Sequence, residues 1–166
     1  MFRKYILLLA AILGLFCMTG CGNKEEITSF QQNMDNFYTE VSEIESNIEA
    51  IDAEDDGAVT NLLIYLEQMS SQFQQLAQME IPKEFVNIEA LTSDASEYMT
   101  EAVRLYTEAY GTDSVNDAYV EAAAKNYASA MKRINYIAVL LQGEIPEGVT
   151  VIEGDDTEFE PYTQQQ

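Results

Sequence analysis

A candidate ligand set for a hard cation lies in the stretch Asp52-x-Glu54-x-Asp56-Gly57. Its acidic side chains occupy the first, third and fifth positions and its glycine the sixth, as in calcium-binding loops between two helices. The twelfth position of such a loop supplies a bidentate Glu, and this chain has Leu63 there. The stretch therefore predicts an acidic helix–helix turn, with weak binding of a hard cation as the alternative.

The overall composition excludes most other kinds of site. The 166 residues include no His, and 29 Asp or Glu stand against 8 Lys or Arg, which gives a formal charge of −21. Without His, the chain lacks the usual ligands of transition metals and the base of His-dependent catalytic triads. Nucleic acid is excluded as a partner because phosphate binding needs a basic face. We find no Gly-rich phosphate loop and no nucleophile–base pair, so we expect no enzyme, no cofactor and no catalytic metal.

The two cysteines lie in an N-terminal segment with a different role. Two basic residues precede an apolar run over residues 5–16, which is shorter than the ~20 residues of a membrane-spanning helix and suits a secretion signal. Small residues then precede a cysteine in Met18-Thr19-Gly20-Cys21. This segment resembles the lipobox of bacterial membrane lipoproteins, with Met18 where that class usually has Leu.

The resemblance implies cleavage before Cys21 and a diacylglycerol on the Cys21 sulfur. Residues 1–20 are then a lipoprotein signal peptide, and residues 21–23 form a lipid-anchored N-terminus. Because two acyl chains hold a protein stably on a membrane, the expected location is the extracytoplasmic face of a bacterial membrane. Cys17 leaves with the signal, so the mature chain has no disulfide and its fold must rest on its apolar core.

Four apolar stripes with spacings of three and four follow the signal, over residues 27–51, 59–76, 85–109 and 120–141. No long stretch alternates with period two, so the sequence predicts an all-α fold. Because short turns force antiparallel neighbours, the expected architecture is an up-down-up-down four-helix bundle over residues 24–143. Two long hairpins that pair between molecules are the alternative.

Turn and capping residues separate the stripes. Asp56 is the expected N-cap of helix two, and Pro82 opens the first turn of helix three. Ser114 stands three residues before Asp117 and predicts a capping box for helix four. Gly143 is expected to end that helix.

Charge is spread unevenly over the predicted helices. Residues 24–56 hold 11 acids and one base, whereas residues 113–143 hold three of each. Helix four is expected to pack beside helix one, with Lys125, Lys132 and Arg133 placed to pair with its acids.

Helices three and four combine small and aromatic residues. Their seams carry many Ala, and six tyrosines lie between residues 98 and 136. We interpret the tyrosines as amphipathic filling of the core, with a ligand-stacking pocket or a Tyr-rich interface as the alternative. Thr92 interrupts the third stripe and is expected to bond a backbone carbonyl one turn earlier.

The remaining surface features concern helix two and the C-terminus. An almost uncharged face of helix two carries five glutamines, Gln68, Gln72, Gln74, Gln75 and Gln78. This face is either a solvated neutral surface or a contact for another protein. Residues 144–166 contain seven acids and no base, which predicts a mostly disordered acidic tail.

The sequence as a whole predicts a lipid-anchored, non-enzymatic interaction or scaffold module at the cell surface. Its expected partners are the membrane, through diacylglyceryl-Cys21, and a protein bound through helices one and two. The alternative is an extracytoplasmic binding protein for a hard cation or small ligand. Such a ligand would bind between the Tyr-rich helices three and four or at an acidic tip distal to the membrane. The residues expected at this tip are Asp52, Glu54, Asp55, Asp56, Asp113 and Asp117.

Overall fold

A computed structural model describes residues 24–111 and 114–146. The helices of this part are α1 (Lys24–Glu49), α2 (Ala58–Ala77), a 3-10 helix (Lys83–Ile88), α3 (Glu89–Tyr110) and α4 (Asp117–Leu141). The described residues contain no strand, so the predicted all-α class is confirmed. None of these helices combines the length and the apolar character that crossing a membrane requires. The predicted signal, Cys21 and the acidic tail from residue 147 onward lie outside the described residues.

One apolar core joins the four α-helices. The predicted stripe of α1 faces this core over its central turns, where Phe30, Phe37 and Ile44 are all buried. Phe73 of α2 is fully buried, and its ring meets the Phe37 ring edge-on at 5.4 Å between centroids. Burying one such side chain contributes about 1.5–3 kcal/mol, so these stripes supply the main stabilising term of the fold.

The helices that follow one another in the chain make the most extensive contacts, and α3 packs most closely on α4. Both of these helices carry fully buried alanines, namely Ala95, Ala102, Ala109, Ala123 and Ala130. The distance between two packed helices depends on the side chains at the contact, and small ones permit a close approach. The predicted Ala seam therefore has a direct structural role.

Two tyrosine side chains form hydrogen bonds between α1 and α4. The Tyr38 hydroxyl donates to the Ile134 carbonyl at 2.9 Å. The Tyr127 hydroxyl donates to a Glu45 carboxylate oxygen at 3.2 Å. These hydrogen bonds join α4 to α1, the pair that the sequence predicted to be neighbours.

The basic residues of α4 do not pair with α1, so that prediction is wrong. Lys125 binds the Glu121 carboxylate one turn earlier in its own helix, at 2.7 Å. Arg133 lies toward α3, with its Nε 3.8 Å from the Asp94 carboxylate, and Lys132 lies over an aromatic ring of its own helix. A partner one turn away costs less side-chain ordering than one on another helix, and tertiary packing turns Arg133 toward α3.

The turn between α1 and α2 differs from the prediction. Helix α1 ends at Glu49, before the last position of its apolar stripe. The N-cap of α2 is Gly57, with no side-chain cap, so the assignment of Asp56 as the N-cap is wrong. Instead the Asp55 carboxylate accepts a hydrogen bond from the Gly57 amide at 2.7 Å. The aspartate that stabilises the turn is therefore one position before the predicted cap, Asp56.

The start of α3 also differs, because Pro82 precedes a 3-10 helix rather than an α-helix. Within this helix Phe85 has a non-helical backbone, with φ −120° and ψ 18°, and its ring stacks on Phe30 of α1 at 5.4 Å. Regular α-helix begins at Glu89. The Thr92 hydroxyl donates to the Glu89 carbonyl at 2.8 Å, as predicted.

The two ends of α4 have well-defined caps. Its N-cap is Asn116, whose side chain accepts from a backbone amide at 3.3 Å, and not the predicted Ser114. At the other end the predicted stop is confirmed, because Gly143 has φ 75° and its amide donates to the Leu140 carbonyl at 3.0 Å. The next amide donates to the Val139 carbonyl at 3.1 Å, which completes the paired hydrogen bonds of a Schellman motif.

We expect Phe73→Ala to lower the free energy of unfolding by about 3–5 kcal/mol, because it leaves a cavity in the core. Urea unfolding followed by circular dichroism measures this loss. The matched control is Ile64→Ala on the same helix, where the side chain is 46% exposed, and we expect it to cost under ~1 kcal/mol. Similar losses for both variants would contradict the central position of Phe73.

Candidate functional site

Two carboxylates of the turn between α1 and α2 accept hydrogen bonds from backbone amides of the same turn. Asp52 Oδ1 accepts from the Glu54 amide at 3.0 Å, and Asp55 Oδ1 accepts from the Gly57 amide at 2.7 Å. Glu54 and Asp56, the other predicted ligands, are exposed. Within residues 24–111 and 114–146, no group of three or more acidic or Cys side chains is placed to share a metal ion. The hydrogen bonds are those of an acidic helix–helix turn.

An open depression lies beside this turn, and its lining residues are Asn47, Ala50, Ile51, Asp52, Asp55, Asn61 and Tyr65. Ligand pockets typically enclose 70–90% or more of a drug-sized ligand's surface, which an open depression does not do. The two aspartates that reach it already accept hydrogen bonds from the backbone. The depression therefore lacks the enclosure of a typical small-ligand pocket.

A polar layer between α1 and α4 is formed by Tyr38, Tyr127 and Glu45. Burial raises the pKa of both tyrosine hydroxyls, and the nearby Glu45 carboxylate raises that of Tyr127 further. Burial also raises the pKa of the Glu45 carboxyl; the hydrogen bond from Tyr127 opposes this rise, and Glu49 adds to it. Both phenols therefore stay protonated at physiological pH and act as hydrogen-bond donors between helices.

The tyrosines of α3 and α4 favour the core-filling interpretation over a ligand pocket. Tyr98, Tyr106, Tyr127 and Tyr136 are partly buried and pack against the apolar core. The Arg133 guanidinium lies over the Tyr98 ring, 4.8 Å from the ring centroid. Their rings are thus used in packing, and the Tyr127 hydroxyl also binds a carboxylate of another helix.

The pKa of Glu45 predicts a specific pH dependence. A carboxyl group whose pKa is raised in the folded state stabilises the protein below its ordinary pKa, and this contribution is lost as pH rises through the raised value. Glu45→Gln removes the ionisation while keeping an acceptor for Tyr127. We therefore expect the free energy of unfolding of Glu45→Gln, relative to the native protein, to increase between about pH 4 and pH 7.

Urea unfolding at the two pH values tests this expectation. Glu43→Gln is the control, because Glu43 is exposed on the same helix and the substitution removes the same charge. A pH-dependent gain that is equal in the two variants would contradict a specific role of the half-buried Glu45 carboxyl.

The outward side of α2 is nearly free of charge. We call the following exposed residues the α2 outer face: Thr60, Asn61, Ile64, Glu67, Gln68, Ser71, Gln74 and Gln75. Their spacing of three and four places them in one row along the helix. Of the predicted glutamine face, Gln72 is half-buried and Gln78 lies just beyond the helix end.

Ile64 is the apolar centre of the α2 outer face, and the sequence analysis did not single it out. Its side chain is 46% exposed. The signal was present, because Ile64 falls off the apolar stripe of α2 and onto its polar side. The face contains a single charged residue, Glu67, in a chain whose formal charge is −21.

The neighbouring helix α1 has the opposite electrostatic character. Its exposed side chains include Glu40, Glu43 and Glu49. All ion pairs among the described residues lie within α3, within α4 or between those two helices. The acids of α1 therefore have no basic side chain within 4.0 Å in that part of the chain, and ion pairs do not compensate their charge.

The predicted lipidation site, Cys21, lies outside the described residues, three positions before the first residue of α1. No protein-family model, curated protein or solved structure matches this chain.

Proposed function

We propose that this protein is a lipid-anchored, extracytoplasmic helical module that binds a protein partner through α2 and the adjoining part of α1, without catalysis. The α2 outer face is the observation that carries the proposal, since it is a neutral surface with an exposed Ile64 in a strongly acidic chain. The lipobox-like segment that ends at Cys21 supports the anchor.

The proposed scaffold is an antiparallel up-down-up-down four-helix bundle. Two contacts between α1 and α4 support it, because the pairs Tyr38–Ile134 and Glu45–Tyr127 run in opposite directions along the two helices. Short connections between successive helices favour the same arrangement.

The α2 outer face suits a protein interface for reasons of desolvation. The centres of protein interfaces are depleted of charged residues, because an ion that leaves water without a partner is destabilising. Neutral Gln and Asn amides can exchange bonds with water for bonds with a partner, and Ile64 supplies an apolar contact. The acidic surface of α1 could not be covered in this way without basic groups from the partner.

The size of the α2 outer face further defines the partner. A helix of 20 residues is about 30 Å long, so one face about 10 Å wide offers roughly 300 Å². A stable interface covers about 800 Å² on each partner. The partner must therefore extend over flanking surface, and on the α1 side it would meet Glu40 and Glu43. We propose a partner with an apolar or amide-rich centre and a basic edge.

The anchor is tested by Cys21→Ala. Without the acceptor thiol no diacylglycerol can be attached, so we expect the protein to move from the membrane fraction to the soluble fraction. Immunoblots of fractionated cells measure the distribution, and Cys17→Ala is the control that should remain in the membrane. Retention of the Cys21→Ala protein in the membrane would contradict the lipobox assignment.

The partner surface is tested with a photo-crosslinking amino acid at Gln68, at the middle of the α2 outer face. We expect one reproducible crosslinked product in intact cells, which Ile64→Asp removes because the new carboxylate would be buried in the interface. The matched control site is Asn135, an exposed amide on α4. Absence of a product from Gln68, or the same product from Asn135, would argue against this surface.

A further inference from the structure

The chain geometry limits how far the start of α1 can lie from the proposed anchor. Lys24, the first residue of α1, is the third residue after Cys21. An extended chain spans at most about 3.6 Å per residue, so the two Cα atoms lie within about 11 Å of each other. If Cys21 carries lipid, the N-terminal end of α1 is held next to the bilayer surface.

Two further segments lie at this end of the protein. The stacking of Phe85 on Phe30 places the 3-10 helix beside the first turns of α1. The 3-10 helix also contacts α4. In the proposed antiparallel arrangement the residues that follow α4, 142–146, reach the same end, and we call the start of α1, the 3-10 helix and residues 142–146 together the anchor end.

The anchor end carries the two most exposed large apolar side chains of the described residues. Val86 of the 3-10 helix is 55% exposed, and Ile145 is 62% exposed. A buried residue follows each of them closely in the chain, because Ile88, two positions after Val86, is fully buried and Pro146, next to Ile145, is buried. The backbone therefore presents both apolar side chains outward from well-packed positions.

We propose that the anchor end rests directly on the bilayer, with the side chains of Val86 and Ile145 inserted at the boundary between headgroups and acyl chains. This inference rests on the proposed lipid anchor and on the antiparallel arrangement. The short connection to Cys21 identifies a membrane as the occupant, because no other large surface is held within about 11 Å of this end.

The charges of the anchor end define the kind of lipid surface that it fits. Its bases are Lys24 and Lys83, but acids outnumber them in the same segments and just before them, with Glu25, Glu26, Glu80, Glu84 and Glu144. The contact is therefore apolar rather than electrostatic. It should persist at high salt on zwitterionic lipid and weaken on anionic lipid, which repels the acidic surface.

Single tryptophans test this contact, because the native chain has no Trp. The full-length lipidated protein is reconstituted in phosphatidylcholine vesicles with or without brominated acyl chains, which quench nearby indoles. Val86→Trp and Ile145→Trp are the test variants. The controls are Ile64→Trp on the α2 outer face and Val115→Trp just before α4, at positions that are 46% and 54% exposed.

We expect brominated lipid to reduce the fluorescence of both test variants by a factor of about two, as for side chains about 5–10 Å into the interface. Ile64→Trp and Val115→Trp should be unaffected. If the protein floats with the vesicles but neither test variant is quenched, the proposed contact of the anchor end with the bilayer is wrong, while the lipid anchor stands. Equal quenching at all four sites would also overturn the contact, since the protein would then lie on its side. Failure to float would overturn the anchor and the inference with it.

Discussion

The hydrogen bonds from Tyr38 and Tyr127 join the acidic helix α1 to α4, although no basic side chain of residues 24–111 and 114–146 forms an ion pair with α1. Each phenol is long enough to reach between α1 and α4, and each presents an apolar ring to the core and a polar group at its edge. A tyrosine donor needs no counter-charge, so α1 can be attached without an ion pair. Most acids of α1 are exposed to solvent, whereas Glu45 is half-buried and accepts one of these hydrogen bonds.

This mode of attachment explains how charge is divided over the surface. Arg104 pairs with Glu101 and Glu108, Lys125 with Glu121, and Arg133 lies near Asp94, so the bases of α3 and α4 are used on those helices. The neutral outer face of α2 stands next to the acidic surface of α1. Within the described ranges, every ion pair on α3 and α4 is therefore internal to those two helices, whereas α2 presents a neutral strip and α1 an acidic surface without ion pairs.

The apolar stripes allowed the helices and much of the core to be predicted, because period and hydrophobicity are local properties of the chain. Phe30, Phe37 and Ile44 are buried as their spacing implies, whereas Ile51 falls beyond the end of α1. Helix caps were less predictable, because neighbouring Asp, Asn and Ser residues have similar capping preferences and backbone geometry selects among them. Asn116 thus caps α4 although Ser114 fits the expected spacing.

Contacts between helices were the least predictable part of the candidate site. The partners of Tyr38 and Glu45 lie 96 and 82 positions away in the chain, and no local pattern specifies them. Arg133 illustrates the same limit, since its direction depends on the packing of α4 against α3. Ile64 was accessible to sequence analysis, because an aliphatic residue on the polar side of a helix is visible from spacing alone.

The Ala seam between α3 and α4 has a consequence for the order of folding. These helices are joined by a short connection, so their contacts close a small loop and require little loss of chain entropy. The attachment of α1 to α4 closes a far larger loop, and contacts of that kind form slowly. We therefore expect the α3–α4 hairpin to form early and the contact between α1 and α4 to form last. The contact that completes the fold would then involve the helix nearest the proposed anchor, within a short reach of the bilayer.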